Sequence, residues 1–407
     1  MQRAKETPEP AEPDPTAPTG PRIVRLIFLC LVLIALSLGY VYYNQLPDVY
    51  AEKTRAAEKS EDWEQVEKWA KKWVARSPDN GDAILFLSDA YRFQRKVEPL
   101  LVLMLQFPTT DSRYPTVMEM RGDLLMAEAK NIPAAEENWL ILLNQQPLHK
   151  YARQRLTYIY SMTLQREKLQ TLLRESLVYN CEPPEAYFYL TSVSNLNFTN
   201  GLLKTTEWLK QTPDNRELLV AQAVFAARSS GKSKISMFED DVVIPGSDAA
   251  VDRLLKQFPD DVELVCHKLQ QKVEEGELEA VEELLKQLSN VQTSDCRVYR
   301  YRGWLAKMQN EIDKAAAELQ KGLQYNPLDW KCHLEMAQVK RLQSDKDAAT
   351  FHADLAERGK VLERQFMELP SAIDASFAQM QELLKYIQDC GDQQAAVRLT
   401  AILQRQR

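Results

Sequence analysis

From residue 47 onward, apolar residues recur every three or four positions, and polar residues fill the positions between them. This spacing is typical of amphipathic α-helices, whereas the strict alternation expected of strands is rare. Prolines follow the apolar stretches at Pro78, Pro147, Pro213, Pro259 and Pro327. A proline ends a helix because it cannot donate the next backbone hydrogen bond. The pattern therefore predicts an all-α body made of many short helices.

The same prolines indicate a repeat. The separations from Pro147 to Pro213 and from Pro259 to Pro327 are 66 and 68 residues, close to two periods of about 34 residues. A fixed period in this range is typical of stacked pairs of helices, in which each pair buries its apolar surface against its neighbours. We therefore expect one elongated helical array rather than several globular domains.

The clearest unit of the repeat ends at residue 327. It places small and large apolar residues at fixed intervals along two predicted helices and then ends in proline: Gly303, Ala315, Leu319, Gly322 and Pro327. This spacing resembles that of the tetratricopeptide repeat family. Small residues let two antiparallel helices approach closely, and Leu319 fills the space beside them. The resemblance implies a right-handed solenoid of helical hairpins.

The resemblance extends, less completely, over residues 47–369. Ala135, Trp139 and Pro147 follow the pattern for the second helix of a repeat, although Gly122 lies one residue from the expected small position. Because these matches are spread over the whole segment, we expect the repeats to be continuous.

Two further segments complete the predicted body. Residues 229–247 break the regular spacing and are rich in serine, glycine and acidic residues, so we expect an insertion loop there. Residues 370–407 are apolar-periodic with a break at Gly391. We expect them to form a C-terminal helical pair that caps the array.

The N-terminus differs from the body. Residues 1–21 are rich in proline and acidic residues and contain almost nothing apolar, so we expect a disordered tail. Residues 22–43 are almost continuously apolar and, as a helix, are long enough to cross a hydrocarbon core of about 30 Å. We expect a single transmembrane anchor. A cleaved signal peptide is the alternative, since Ala35 and Ser37 weakly resemble a cleavage site.

The flanking charges predict the orientation of this anchor. Arg22 and Arg25 adjoin the apolar segment, whereas the first cation after it is Lys53. Positive residues are usually retained in the cytoplasm. The N-terminus is therefore predicted to be cytoplasmic, with the helical body on the far side of the membrane.

Composition excludes several classes of partner. The net charge of −7 comes from 51 basic and 58 acidic residues spread along the chain, and no basic patch suited to nucleic acid is visible. The six cysteines form no C-x-x-C pair, and none of the four histidines lies in a metal-binding motif. We therefore expect no nucleic-acid partner, no metal and no cofactor.

One motif points to nucleotide binding, and its context argues against it. Ala226 and the run Gly231, Lys232 and Ser233 resemble a relaxed phosphate-binding loop. Such a loop needs a strand before it, whereas residues 215–228 are helical in pattern. Since no other catalytic arrangement is present, we expect neither nucleotide binding nor enzyme activity.

The family resemblance also implies a binding groove lined by the first helix of each repeat. Transferring the register places eight residues in or near it: Met120, Leu124, Tyr151, Gln154, Tyr158, Arg297, Arg300 and Trp304. Aromatic residues at helical spacing also occur in the packing between repeats, so these side chains face either a partner or the core.

Two functions fit these observations. The first is a membrane-tethered scaffold that binds an unidentified protein partner through its helical-repeat groove. The second is a structural or accessory subunit of a larger membrane or envelope complex. An enzyme is a distant third, because a fold alone does not supply a reaction.

Overall fold

The computed structural model describes residues 20–43, 45–229, 235–237, 240–242, 248–369 and 371–405. Its helices and strands are α1 Gly20–Tyr43, α2 Pro47–Lys59, α3 Trp63–Arg76, α4 Gly81–Phe93, α5 Val97–Met104, α6 Tyr114–Ala127, α7 Ile132–Gln145, α8 Lys150–Met162, α9 Arg166–Val178, α10 Ala186–Ser192, α11 Gly201–Leu209, α12 Arg216–Arg228, β1 Ile235–Met237, β2 Asp240–Val242, α13 Ala249–Gln257, α14 Val262–Glu275, α15 Leu278–Gln287, α16 Cys296–Met308, α17 Ile312–Tyr325, α18 Trp330–Leu342, α19 Lys346–Met367, α20 Phe377–Asp389 and α21 Gln393–Arg405. The predicted tail lies almost entirely outside the described residues, as do Gly231, Lys232 and Ser233.

Helices account for nearly all of the described secondary structure. The two strands form one short antiparallel pair, in which Ile235 pairs with Val242 and Met237 with Asp240. Both strands lie inside residues 229–247, where the repeat spacing is broken. The all-α prediction is therefore confirmed for the helical array, and the insertion contains a small hairpin in its described part.

In most of the described repeats, one of the two turns contains a left-handed residue. In the turn after α16, Asn310 has a φ of 61°, and the next residue, Glu311, donates its backbone N–H to Ala306 O at 2.8 Å. This bond satisfies a carbonyl that the end of the helix would otherwise leave free. Corresponding left-handed residues form two series, in which each residue lies 34 or 35 positions from the next. The first series is Glu61, Arg95, Lys130 and Leu164, and the second is Gly276, Asn310 and Ser344.

The prolines mark the other turn. Two positions after each proline, a side chain accepts a hydrogen bond from a backbone N–H in the first turn of the following helix. These capping residues are Asn80, His149, Asn215, Asp261 and Asp329. A cap of this kind contributes about 1 kcal/mol. Each proline segment therefore ends one helix and begins the next.

The chain divides into two compact units, the first of which ends at Tyr114. Within it, α2 packs on α3, α3 on α4, and α4 on α5. Val66, Ala70, Trp73, Ala83 and Ile84 are buried in its core.

Helix α1 precedes this packed part of the first unit. Its large apolar side chains between Leu26 and Leu38 are all exposed. Among the described residues, no helix combines the length and the apolar character that crossing a membrane requires.

The second unit begins at Pro115 and contains contacts between helices far apart in sequence. Consecutive helices pack in pairs, but α9 also contacts α21, and α10 contacts α19. Arg174 on α9 forms an ion pair of 2.6 Å with Asp392, and Arg398 on α21 forms one of 2.8 Å with Glu182. The C-terminal helical pair therefore packs against the middle of the array.

Close approach of two helices explains the glycine in the clearest repeat. A Cβ atom on Gly303 would lie 2.6 Å from Cγ of Leu319 and 3.2 Å from the carbonyl oxygen of Ala315. Both Ala315 and Leu319 are completely buried. Nearby, a Cβ atom on Gly322 would lie 3.1 Å from Sγ of Cys332, and Pro327 follows the last turn of α17. Only a residue without a side chain fits at position 303.

A second glycine has the same role. A Cβ atom on Gly122 would lie 2.2 Å from Cζ2 of Trp139, and both Trp139 and Ala135 are completely buried. Pro147 lies just after the end of α7. Gly122 is thus the small residue of this repeat, although it lies one position from the expected place.

Replacing Gly303 by leucine should lower the melting temperature, because the new side chain overlaps Leu319 and overpacking typically costs about 1–3 kcal/mol. Adding Leu319→Ala to the same chain removes the overlapping atoms and should restore more than half of the loss. Thermal unfolding followed by circular dichroism measures both. An unchanged melting temperature in the single variant would contradict the packing described for this hairpin.

A tyrosine-lined groove as candidate functional site

Helices α8 and α10 border an open groove in the second unit. Its volume is about 300 Å³, and its lining is Tyr151, Gln154, Arg155, Thr157, Tyr158, Glu185 and Tyr189. The first five residues lie on α8 at positions that share one side of a helix. Glu185 immediately precedes α10. Sequence spacing on a single helix therefore determines most of this surface.

Three buried polar atoms in the groove lack a hydrogen-bond partner among the described residues. They are Nε of Arg155, Oγ1 of Thr157 and Oε2 of Glu185. Thr157 is only 2% exposed. An unpaired buried polar atom costs about 1–3 kcal/mol, so these three atoms mark the groove as the candidate site.

The rest of the groove is held in position by hydrogen bonds. Tyr151 donates its hydroxyl hydrogen to Oδ2 of Asp123 at 2.7 Å, and Gln154 donates to Oε1 of Glu185 at 3.0 Å. Arg155 forms an ion pair of 2.9 Å with Asp123. Since Asp123 pairs with Arg155, Glu185 is the charged lining residue without an ion-pair partner among the described residues.

The three tyrosines supply aromatic walls and hydroxyl donors. Burial raises the pKa values of Tyr151, Tyr158 and Tyr189 above the ordinary value for tyrosine. Their hydroxyls therefore stay protonated at neutral pH and can donate hydrogen bonds. Tyr158 also packs edge-on against Trp208, with ring centroids 6.2 Å apart, which fixes the orientation of its ring.

The structure brings together three of the eight residues predicted for the binding groove. Tyr151, Gln154 and Tyr158 line the same groove. Met120 is 37% exposed and Leu124 is partly buried, and both lie on α6 outside this lining. Sequence reasoning missed Arg155 and Thr157, which lie on α8 itself. It also missed Glu185 and Tyr189, because they belong to the segment around α10 and only the folded chain places them opposite α8.

Arg297, Arg300 and Trp304 lie in the packing between repeats, so the prediction that they line the binding groove is wrong. All three are buried. Trp304 packs in the apolar core beside Val265 and Leu269. These side chains belong to the packing between repeats, which is the alternative that the sequence left open for aromatic residues.

Arg300 has a structural carboxylate partner. Its Nη1 lies 3.3 Å from Oδ2 of Asp329, which also accepts a hydrogen bond from Ser194 at 2.6 Å. Burial alone would raise the pKa of Asp329, but Arg300 and these hydrogen bonds lower it to about 2. Asp329 therefore stays charged and joins Arg300 to a segment more than a hundred residues earlier in the chain.

Arg297 belongs to a buried cluster centred on Glu263. The Glu263 carboxylate accepts two hydrogen bonds from Arg166, at 2.8 and 3.0 Å, and one from Arg297 at 2.6 Å. Arg228 lies 3.6 Å from the same carboxylate, and Arg297 also pairs with Asp295 at 2.7 Å. Four helices, α9, α12, α14 and α16, thus meet at one carboxylate.

A second cavity adjoins this cluster, but its polar side chains already have partners. Its volume is about 270 Å³, and Arg166, Glu263 and Arg297 contribute to its wall. None of its lining side chains has a buried polar atom without a hydrogen bond, as far as the structure describes them. The cavity therefore lacks the unsatisfied groups that distinguish the tyrosine-lined groove.

Two histidines that are distant in sequence also meet. The rings of His333 and His352 stack with Nδ1 atoms 2.9 Å apart, and Nε2 of His333 lies 2.9 Å from the carbonyl oxygen of Pro327. Burial lowers the pKa of His333, and burial together with its neighbour lowers that of His352 to about 4. No group of three or more potential metal ligands occurs in the described part of the chain.

Comparisons with known proteins give a limited result. No family model matches the sequence, and no curated protein is significantly similar to it. Among solved structures, the APC/C heterotetramer Cut9–Hcn1 is 12% identical with a TM-score of 0.32, covering 91% of this chain and 82% of that chain. A tetratricopeptide repeat protein from Parabacteroides merdae is 14% identical with a TM-score of 0.29, covering 72% of this chain and 98% of its own.

A third structure, the human IFIT1 dimer with PPP-AAAA, is 16% identical with a TM-score of 0.32, covering 80% of this chain and 68% of that chain. Scores this low carry no functional argument. The assignment of the chain as an α-solenoid rests on its own paired helices and on turns spaced 34 or 35 residues apart.

Glu263→Gln should lower the free energy of unfolding by about 3–5 kcal/mol, because it leaves buried guanidinium groups without a countercharge. The matched control Glu283→Gln, on an exposed side chain, should change it by less than about 0.5 kcal/mol. Chemical denaturation at pH 7 measures both. Equal effects of the two substitutions would contradict the central position of Glu263.

The pH dependence of the same variant provides a second check. Burial alone would raise the pKa of Glu263, but Arg166, Arg297 and Arg228 hold it well below its usual range. Its stabilisation is therefore complete above the unfolded pKa, about 4.3, and is lost as the pH falls through the lower folded pKa. The stability difference between wild type and Glu263→Gln should accordingly shrink as the pH falls below about 4.

Proposed function

We propose that this protein is a membrane-tethered interaction scaffold that holds an extended segment of a partner protein in the tyrosine-lined groove. The observation that carries the proposal is the set of unpartnered buried atoms on Arg155, Thr157 and Glu185. An extended peptide offers alternating N–H and C=O groups that can pair with such atoms. No reaction is proposed, because the groove contains no nucleophile with an adjacent base.

The Glu185 carboxylate, which has no cation partner among the described residues, supports a partner segment with a positively charged side chain. Oε2 of Glu185 is free to accept a hydrogen bond, and Tyr158 and Tyr189 line the same groove. A Lys or Arg side chain between these rings would gain both a carboxylate and aromatic faces. These contacts would offset the free-energy cost of removing water from the Lys or Arg side chain.

The proposed tether is residues 22–43. Its support is the exposed run of large apolar side chains from Leu26 to Leu38 on α1, which is unfavourable in water and stable in hydrocarbon. We place the N-terminus in the cytoplasm and the helical body on the far side, on the strength of Arg22 and Arg25. The second proposal, an accessory subunit of a larger membrane complex, would share this tether.

A photo-crosslinking amino acid at Tyr158 or Tyr189 in the full chain should capture a partner in cells, and mass spectrometry of the product should show one defined extended segment containing Lys or Arg. The same label at Tyr179, which is exposed elsewhere, is the control. Equal capture at all three positions would contradict a specific groove. A large, stoichiometric complex attached through other surfaces would instead support the accessory-subunit proposal.

Thr157→Val should weaken binding of the captured segment without lowering the melting temperature, because the hydroxyl that it removes has no partner within the described protein. Glu185→Gln should weaken binding about tenfold or more, as expected for a lost charge-assisted hydrogen bond. Thr205→Val is the matched control. The Thr205 hydroxyl donates to Gly201 O at 2.8 Å, so this variant should lose about 1 kcal/mol of stability and no binding. Unchanged binding by both groove variants would overturn the proposal.

A further inference from the structure

Three lysines surround one tryptophan in the first unit. The ammonium groups of Lys53, Lys68 and Lys72 lie 4.5, 5.0 and 4.7 Å from the ring centroid of Trp69. Tyr50 stacks on the same indole, with centroids 6.3 Å apart. The positive charges thus lie within about one Debye length of one another at 0.1 M salt, roughly 10 Å.

Two of these lysines have no carboxylate partner among the described residues. Across the residues that the structure describes, neither Lys68 nor Lys72 lies within 4.0 Å of a carboxylate oxygen, whereas their neighbour Lys71 pairs with Glu67 at 2.6 Å. Both are exposed on α3. Attraction to the indole leaves the positive charge of the ammonium groups in place. An anion bound beside Trp69 would reduce the repulsion between these groups directly.

The position of this cluster suggests the source of the anion. Lys68, Lys72 and Arg76 follow one another at four-residue intervals, so they form a row along one side of α3. Arg76 donates a hydrogen bond of 2.6 Å to the side chain of Gln45, which lies between α1 and α2. One end of the row therefore lies beside the end of α1. Each step along the row rises about 6 Å, so the row extends about two helical turns from that point.

We propose that this lysine face, consisting of Lys53, Lys68, Trp69, Lys72 and Arg76, binds the phosphate groups of anionic lipids at the membrane surface beside α1. The inference rests on the proposed tether, which brings the face within reach of the headgroups. Lysines near a bilayer are attracted to anionic lipids, and tryptophan favours the interface between hydrocarbon and water. Contact with lipid would orient the first helical pair on the bilayer.

The test uses the full chain reconstituted in lipid nanodiscs, which leave both membrane faces open to reagents. One preparation contains phosphatidylcholine alone, and the other contains equal parts of phosphatidylcholine and phosphatidylglycerol. Exposed lysines are acylated with a water-soluble reagent and quantified by mass spectrometry. Lys68 and Lys72 should react about fivefold or more slowly in anionic discs. This protection should vanish in 1 M salt, where the Debye length is about 3 Å.

Lys321 and Lys346, which are exposed in the second unit, serve as internal controls and should react equally in both discs. In the variant Lys68→Glu/Lys72→Glu, acylation of Lys53 should no longer depend on the anionic lipid. Equal reactivity of Lys68 and Lys72 in both preparations, with the chain retained on both, would overturn the lysine face. Protection that appears only when other proteins are added would overturn it too.

Retention of the chain separates this inference from the tether. A chain that stays on neutral discs through purification supports the tether, whatever its lysines do. If the chain is retained only on anionic discs and released by 1 M salt, the lysine face is supported and the tether is contradicted. Absence from both kinds of disc contradicts both proposals.

Discussion

The second unit depends on a buried carboxylate that binds guanidinium groups from three helices. Glu263 pairs with Arg166, which lies 97 positions earlier, and with Arg297, which lies 34 positions later. Burying these charges is costly unless every one of them is paired. The carboxylate therefore specifies which helices meet, in addition to any stability that it adds. A helical array with only local contacts would lack this constraint.

The charge cluster also decides which surface is available for binding. The arginines that sequence reasoning placed in a partner groove neutralise Glu263 and Asp329 instead. Arg166 and Arg228 also donate to carbonyl oxygens of Val193 and Leu196, so one stretch of the chain contacts the inner cations. The groove between α8 and α10 differs because its buried donor and acceptors have no such partners. We therefore place the proposed binding site in this groove.

Local features of the structure were predictable from sequence, because they depend on residues close together in the chain. Proline spacing predicted the repeat, and Gly303 with Leu319 predicted a close helix pair that the structure contains. The turns were harder to predict, since Glu61, Arg95 and Leu164 adopt a left-handed conformation that glycine usually provides. The period of these turns was nevertheless present in the spacing of the prolines.

Long-range features were not predictable from a repeat pattern. Nothing in the period of about 34 residues indicates that Arg297 faces Glu263, or that Glu185 completes a groove begun by α8. The register correctly grouped Tyr151, Gln154 and Tyr158 because they share one helix. The predicted groove position of Arg300 was wrong, because its carboxylate partner, Asp329, belongs to the next repeat.

The second unit is closed by the packing of its C-terminal helical pair against the middle of the array, and the partly buried pair of Glu182 and Arg398 tests this closure most directly. These side chains lie 216 positions apart and are joined at 2.8 Å, so they can interact only if the C-terminal pair packs against the middle of the array. The decisive measurement is a double-mutant cycle in unfolding free energy with Glu182→Gln, Arg398→Gln and the double variant. Closure predicts a coupling energy of about 0.5–3 kcal/mol. Additivity of the two single changes within about 0.3 kcal/mol would contradict it.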